Sequence, residues 1–133
     1  MPEYVYLTTA EVLEIHEQLI AEFGGSPGVA DIGRLEAALF RPQIGYYNDL
    51  TEEAAALMES LANNNPFMDG NKRVSFVVTD TFLRLNGFYL EIQAAAARDF
   101  IEQSMARSEF RFPIIHGWLR LHIRPLRAER GSR

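Results

Sequence analysis

The sequence contains no cysteine. That excludes disulfides, thiolate metal sites and a cysteine nucleophile, and it suits a reducing compartment such as the cytoplasm. No apolar run approaches the roughly 20 residues that a membrane-spanning helix needs, so no membrane partner is expected. Residues 1–10 lack the basic region followed by an apolar stretch that marks a secretory signal. Lysine is nearly absent as well: of 13 basic residues, 12 are arginine, and the one lysine is Lys72.

The net charge of −5 speaks against direct binding to nucleic acid, which is itself a polyanion. The charge is unevenly spread. Residues 1–60 hold 11 acids against only Arg34 and Arg41, whereas residues 61–133 hold 7 acids against 11 bases. The basic half ends in Arg120, Arg124, Arg127, Arg130 and Arg133, a pattern that suits either an acidic partner or a solvated helix end. Apolar residues make up 47% of the chain, which excludes a disordered polypeptide. The length fits one domain over residues 1–133.

The patterning is helical almost throughout. Thr8 and Glu11 form a capping box, behind which Val12, Ile15, Leu19 and Phe23 recur at helical spacing. Gly24 and Gly25 end that helix, and residues 24–33 read as a loop. Further helices are expected over about residues 31–40, stopped by Pro42, and from about residue 50 to Asn64. A fourth helix starts near Asn71 and is apolar on most sides, with Val74, Phe76, Val77, Val78, Phe82 and Leu83. That marks it as central. Residues 88–92 suit a short extended piece. The last two helices fall at about residues 94–107 and 113–124. The expected fold is all-α, a compact bundle of about six helices around the fourth.

The stretch Asn65-Pro66-Phe67-Met68-Asp69-Gly70-Asn71-Lys72-Arg73 leads into the fourth helix. A helix N-terminus presents unpaired N–H groups and the positive end of the helix dipole, a ready site for phosphate. Gly70 leaves room for close approach of backbone to ligand. Asn71 offers an amide, and Lys72 and Arg73 add a point charge and a fork for phosphate oxygens. Asp69 suits a Mg²⁺ ion shared with phosphates and waters. Phe67 is expected to turn inward and anchor the loop. The plainer alternative is an ordinary helix–helix turn with Asp69 as its cap. The spacing is not that of a P-loop.

These residues resemble the motif of the Fic/Doc family, His-x-Phe-x-Asp/Glu-Gly/Ala-Asn-x-Arg, at every position except the first. The segment Phe23-Gly24-Gly25-Ser26-Pro27-Gly28 with Arg34-x-Glu36, and Leu83-x-x-Asn86-Gly87 after the motif helix, are similar to Doc-type members. Lys72 stands where Fic proteins, which transfer AMP, typically have glycine, so the resemblance is to the Doc branch. It implies a toxin of a toxin–antitoxin module, a protein kinase that transfers the γ-phosphate of ATP to a threonine of elongation factor Tu and blocks translation. It also implies ATP and Mg²⁺ as cofactors and a Phd-like antitoxin as inhibitor. By the same resemblance Asp69 binds Mg²⁺, Gly70, Asn71, Lys72 and Arg73 cradle phosphates, and the first motif position holds the general base.

That first position is Asn65. An amide does not accept a proton at neutral pH, so this form is expected to be impaired. Asn65 is either an introduced histidine-to-asparagine change or the mark of a natural divergent member. The alternatives to the kinase are a Fic-type adenylyltransferase and a non-catalytic binding protein. His16, His116 and His122 fall on predicted helices away from the motif and read as structural or surface residues. No glutamate is followed by glycine or asparagine, so the self-inhibitory helix of some Fic proteins is missing and inhibition must come from another chain. Residues 24–33 read as a plain connector or a docking loop. Tyr46 and Tyr47 suit either a nucleobase or the edge of the core.

Overall fold

The computed structural model describes residues 3–127. Arg130 and Arg133 of the basic tail lie outside the described residues. Helix α1 (Thr9–Phe23) begins where Glu11 N–H donates to Thr8 Oγ1 (3.1 Å) and Thr8 N–H donates to Glu11 Oε1 (2.8 Å). Helices α2 (Ile32–Phe40) and α3 (Leu50–Asn64) start on Asp31 and Asp49, whose carboxylates accept from Arg34 N–H and Glu52 N–H. Each cap occupies an amide that the helix cannot bond itself. A 3₁₀ turn, Arg41–Gln43, carries Pro42 and ends the α2 segment. Helix α4 (Asn71–Leu85) runs from the motif to Gly87, whose φ of 93° turns the chain out of the helix. Strand β1 (Phe88–Leu90), α5 (Ala94–Ala106), α6 (Phe112–His122) and strand β2 (Ile123–Pro125) follow.

Six helices carry the fold, as expected, and their packing refines which of them is central. Helix α3 packs against α2, the 3₁₀ turn, α4 and α6, and its Ala54–Ala55–Ala56 run is fully buried. Small side chains there let its neighbours approach closely. Helix α4 packs on α1, α3, β1 and α5. Its buried stripe is Val74, Val78, Phe82 and Leu83, while Phe76 and Val77 are only half-buried. Those two line a cleft. That use explains why α4 is apolar on more faces than its core contact requires.

The expected sixth helix is shorter than its sequence pattern. It stops at His122, and Ile123–Pro125 pairs antiparallel with β1, Leu90 facing Ile123 and Phe88 facing Pro125. The residue before a proline is biased toward extended backbone, and the pairing supplies the hydrogen bonds that two lost helical residues would have made.

Three side-chain clamps close the bundle. Asn86 accepts from Val5 N–H (2.7 Å) and donates to the carbonyls of Val5 and Phe82. The Tyr6 hydroxyl donates to Glu53 (2.8 Å), and burial, with that carboxylate beside it, pushes the Tyr6 phenol up to about 12. Arg41 donates to Glu59, Ser60 and Tyr47, and Glu59 accepts from Phe112 N–H, joining the 3₁₀ turn to α3 and α6.

Among the described residues two buried side-chain groups are left over, His116 Nε2 and the Thr79 hydroxyl. The Thr79 hydroxyl, wholly buried in α4, has no hydrogen-bond partner. An unsatisfied buried hydroxyl costs stability. Thr79→Val is expected to raise stability by about 1 kcal/mol, read as a rise of about 4 °C in the melting temperature. An unchanged or lower midpoint would count against this.

Candidate functional site

Residues 65–70 join α3 to α4. Asn65 ends α3 in the left-handed conformation (φ 50°, ψ 59°), which asparagine enters more readily than most residues. The chain then dives inward. Phe67 is 2% exposed, and its ring stacks on His16, centroids 3.9 Å apart and planes within 10°. Asn71 reaches back from the first turn of α4. Its Oδ1 accepts from Phe67 N–H (3.0 Å) and its Nδ2 donates to Phe67 C=O (2.9 Å). One amide thus satisfies both main-chain groups of a buried residue. The amide that the sequence offered to a ligand is holding the loop, which leaves Asn71 its backbone N–H for an anion.

The loop of residues 24–33 braces the motif from the other side. Val29 and Phe67 form an antiparallel bridge. Ala30 N–H and Asp31 N–H donate to Pro66 C=O, and Met68 N–H donates to Gly28 C=O. Ser26 N–H donates to Asp69 Oδ2 (3.0 Å), while Gly70 N–H donates to Asp69 Oδ1 (2.9 Å). These two backbone N–H groups hold the Asp69 carboxyl below its ordinary range, so it is ionised at neutral pH. Each oxygen keeps lone pairs free, and the side chain is exposed. This donor set fits a hard divalent cation with waters and phosphates as its other ligands.

Two glycines are needed here for different reasons. Gly70 has φ 80° at the N-cap of α4, and a Cβ there would meet nothing closer than 3.5 Å. Its left-handed backbone, rather than crowding, calls for glycine. A Cβ on Gly25 (φ 114°) would lie 2.8 Å from Asp69 Oδ2. Gly25→Ala is therefore expected to destabilise the chain by about 1–3 kcal/mol and to displace the Asp69 carboxylate. Urea denaturation checks the first effect, and the chemical shift of the Ser26 amide proton checks the second.

The first backbone bond of α4 runs from Val74 N–H to Gly70 C=O, and no side chain caps the helix. The amides of Asn71, Lys72 and Arg73 therefore have no acceptor within the helix. Lys72 is exposed. The Arg73 guanidinium sits over the Phe23 ring, 4.3 Å from its centroid, a cation–π contact that gives a half-exposed aromatic a role.

All six residues singled out from the sequence, Asn65, Asp69, Gly70, Asn71, Lys72 and Arg73, line one cleft of about 740 Å³. Leu19 and Phe23 of α1 form one wall, and Phe76 and Val77 of α4 lie below. Ala94, Ala95, Arg98 and Glu102 of α5 close the far side. The volume suits a nucleotide-sized ligand, and the lining combines apolar side chains with the cations Lys72, Arg73 and Arg98. Tyr46 and Tyr47 are not part of it. Tyr47 stacks on Phe112 and accepts from Arg41, with Tyr46 exposed against its edge.

His16 requires a correction. It was expected away from the motif, yet it is 3% exposed and its Nε2 lies 2.8 Å from Asp69 C=O. A carbonyl only accepts, so Nε2 carries the proton. Its one sequence signal is a polar residue four places after Val12, within the inward stripe of α1. His122 does stay apart, bonded to Trp118 C=O, and His116 stacks on Phe112.

A family model described as the Fic/DOC family matches residues 6–83. Toxin Doc of Mycolicibacterium smegmatis is 39% identical over 92 residues, which cover 64% of this chain and 71% of that protein. Protein kinase doc of Escherichia phage P1 is 35% identical over 86 residues, covering 62% of this chain and 68% of that protein.

Proposed function

The chain belongs to the Fic/DOC family and is of its Doc type, and from that premise we propose that its cleft binds ATP with Mg²⁺ for transfer of the γ-phosphate to a threonine of elongation factor Tu. The observation that carries the reading is the convergence of three unpaired α4 amides, Lys72, Arg73 and ionised Asp69 on one cleft. Phosphoryl transfer needs positioning and charge neutralisation more than covalent chemistry from the protein.

The amides of Asn71, Lys72 and Arg73 bind phosphate oxygens, Lys72 adds a mobile charge, and Arg73 is held in place by Phe23. Asp69 holds the metal, and Mg²⁺, when bound, neutralises charge on the phosphates. The threonine oxygen forms a bond to the γ-phosphorus as the bond to the ADP oxygen breaks, and the hydroxyl proton must leave. Asn65 occupies the base position and cannot take that proton, so this chain binds nucleotide and turns over slowly.

Inhibition comes from a separate Phd-like antitoxin, consistent with the missing glutamate signature. Among the described residues no helix is long and apolar enough to cross a membrane, and the reading places the protein in the cytoplasm with its target. A second reading, a binding protein without turnover, is favoured by one observation: Asn65 is well suited to the left-handed cap that it forms.

Calorimetry of this chain with ATP and Mg²⁺ tests binding. The Asn65→His variant, given ATP labelled at either the α or the γ position together with elongation factor Tu, tests chemistry. Label from the γ position supports the kinase. Label from the α position alone overturns it in favour of AMP transfer, and no label from either position supports the binding protein.

A further inference from the structure

We propose that His16 is a positioning residue of the cleft, holding the Asp69 peptide so that the Asp69 carboxylate is presented to a metal-bound nucleotide. The proposal rests on the reading above, in which Asp69 is the metal ligand.

Asp69 has three anchors. Two are on its carboxylate, from the N–H groups of Ser26 and Gly70. The third is His16 Nε2–H, which donates to the Asp69 carbonyl at 2.8 Å. The first two lie at an exposed side chain, where water competes for the same groups. The third comes from a ring that is 3% exposed, where water competes less. The ring is itself fixed by stacking on Phe67, the buried anchor of the loop. One imidazole therefore grips the motif at Phe67 and Asp69, beside the left-handed Gly70 that opens α4.

Burying an imidazole costs free energy that an apolar residue would avoid. An apolar side chain of similar shape would stack on Phe67 equally well. A donor at the Nε2 position holds the carbonyl of the peptide between Asp69 and Gly70, whose N–H is otherwise held only by the exposed Asp69 carboxylate. Groups that orient a metal ligand without touching the metal are typically worth about 10–100-fold in metal affinity.

The test compares the full chain with its His16→Phe and His16→Gln variants. Phenylalanine keeps the stack and loses the donor. Glutamine keeps an N–H at about the Nε2 distance. Calorimetry measures ATP affinity with and without Mg²⁺. In His16→Phe, the gain in affinity that Mg²⁺ confers is expected to fall by about 10-fold or more, with metal-free ATP affinity little changed. His16→Gln is expected to recover most of the gain. A purely structural role would move both affinities or neither, so an unchanged Mg²⁺ gain in His16→Phe overturns the proposal. Should His16→Phe fail to fold, His16→Gln decides, because loss of the Mg²⁺ gain with the donor retained also overturns it.

If the parent chain itself binds no Mg²⁺–ATP, the functional reading fails, and amide hydrogen exchange then tests the positioning by itself. Faster exchange at Ser26 and Gly70 in His16→Phe, with α3 amides unchanged, supports it. Unchanged exchange at both sites overturns it.

Discussion

Asn65→His is expected to raise γ-phosphoryl transfer by about 10²–10⁴-fold over the parent chain, the usual worth of a general base. The local backbone allows the change. Asn65 sits in the left-handed region, where histidine, like asparagine, is enriched. Little is lost with the amide, since its bond to Asn63 C=O is long at 3.4 Å. The residue is exposed on the cleft wall, so a larger ring displaces no core atom. Binding of Mg²⁺–ATP and the melting temperature are expected to stay close to the parent's, which separates a gain in chemistry from a gain in folding. Single-turnover transfer from γ-labelled ATP measures the rate. Asn65→Ala serves as the reference: a histidine variant no faster than the alanine variant would remove the base from the mechanism.

Phe67→Ala is expected to cost about 3–5 kcal/mol, a large share of the roughly 5–15 kcal/mol that holds a domain folded. The ring is 2% exposed and belongs to the main core cluster with Leu61 and Val74. Its loss leaves a cavity and also removes the surface on which His16 stacks. The main-chain bonds from Asn71 and the bridge to Val29 then hold a loop with no anchor beneath it. Nucleotide binding is expected to weaken with stability, unlike in Asn65→His. Met68→Ala, next in sequence but 62% exposed, is expected to change stability by less than about 0.5 kcal/mol. Urea denaturation of the two variants checks the contrast. A cost below about 1 kcal/mol for Phe67→Ala would mean that the loop is anchored chiefly by its hydrogen bonds.

Much of the helix plan was legible because its signals act over three or four residues. Thr8 with Glu11, Asp31 with Arg34 and Asp49 with Glu52 each place a cap and its amide within one turn. Where the plan was wrong, the deciding contact was distant. Ile123 and Arg124, expected in the last helix, instead pair with Leu90 and Tyr89, more than thirty residues earlier. Phe76 and Val77 read as core because a sequence pattern does not separate a residue facing the interior from one facing a cleft.

The candidate site divides in the same way. By itself the sequence singled out the candidate residues: Asn65, Asp69, Gly70, Asn71, Lys72 and Arg73 fall within one short stretch of the chain, and a helix N-terminus following a glycine turn is a local property. Only the tertiary structure decided what each of them is free to do. It committed the Asn71 amide to Phe67, four residues back. It brought Ser26 to the Asp69 carboxylate across 43 residues and His16 to the Asp69 carbonyl across 53. No periodicity encodes such pairings, because they exist only once α1 packs against α4 and the loop after α1 folds back beneath the motif. The physical reason is that a hydrogen bond depends on tenths of an ångström, and over that span the positions are set by the packing of whole helices.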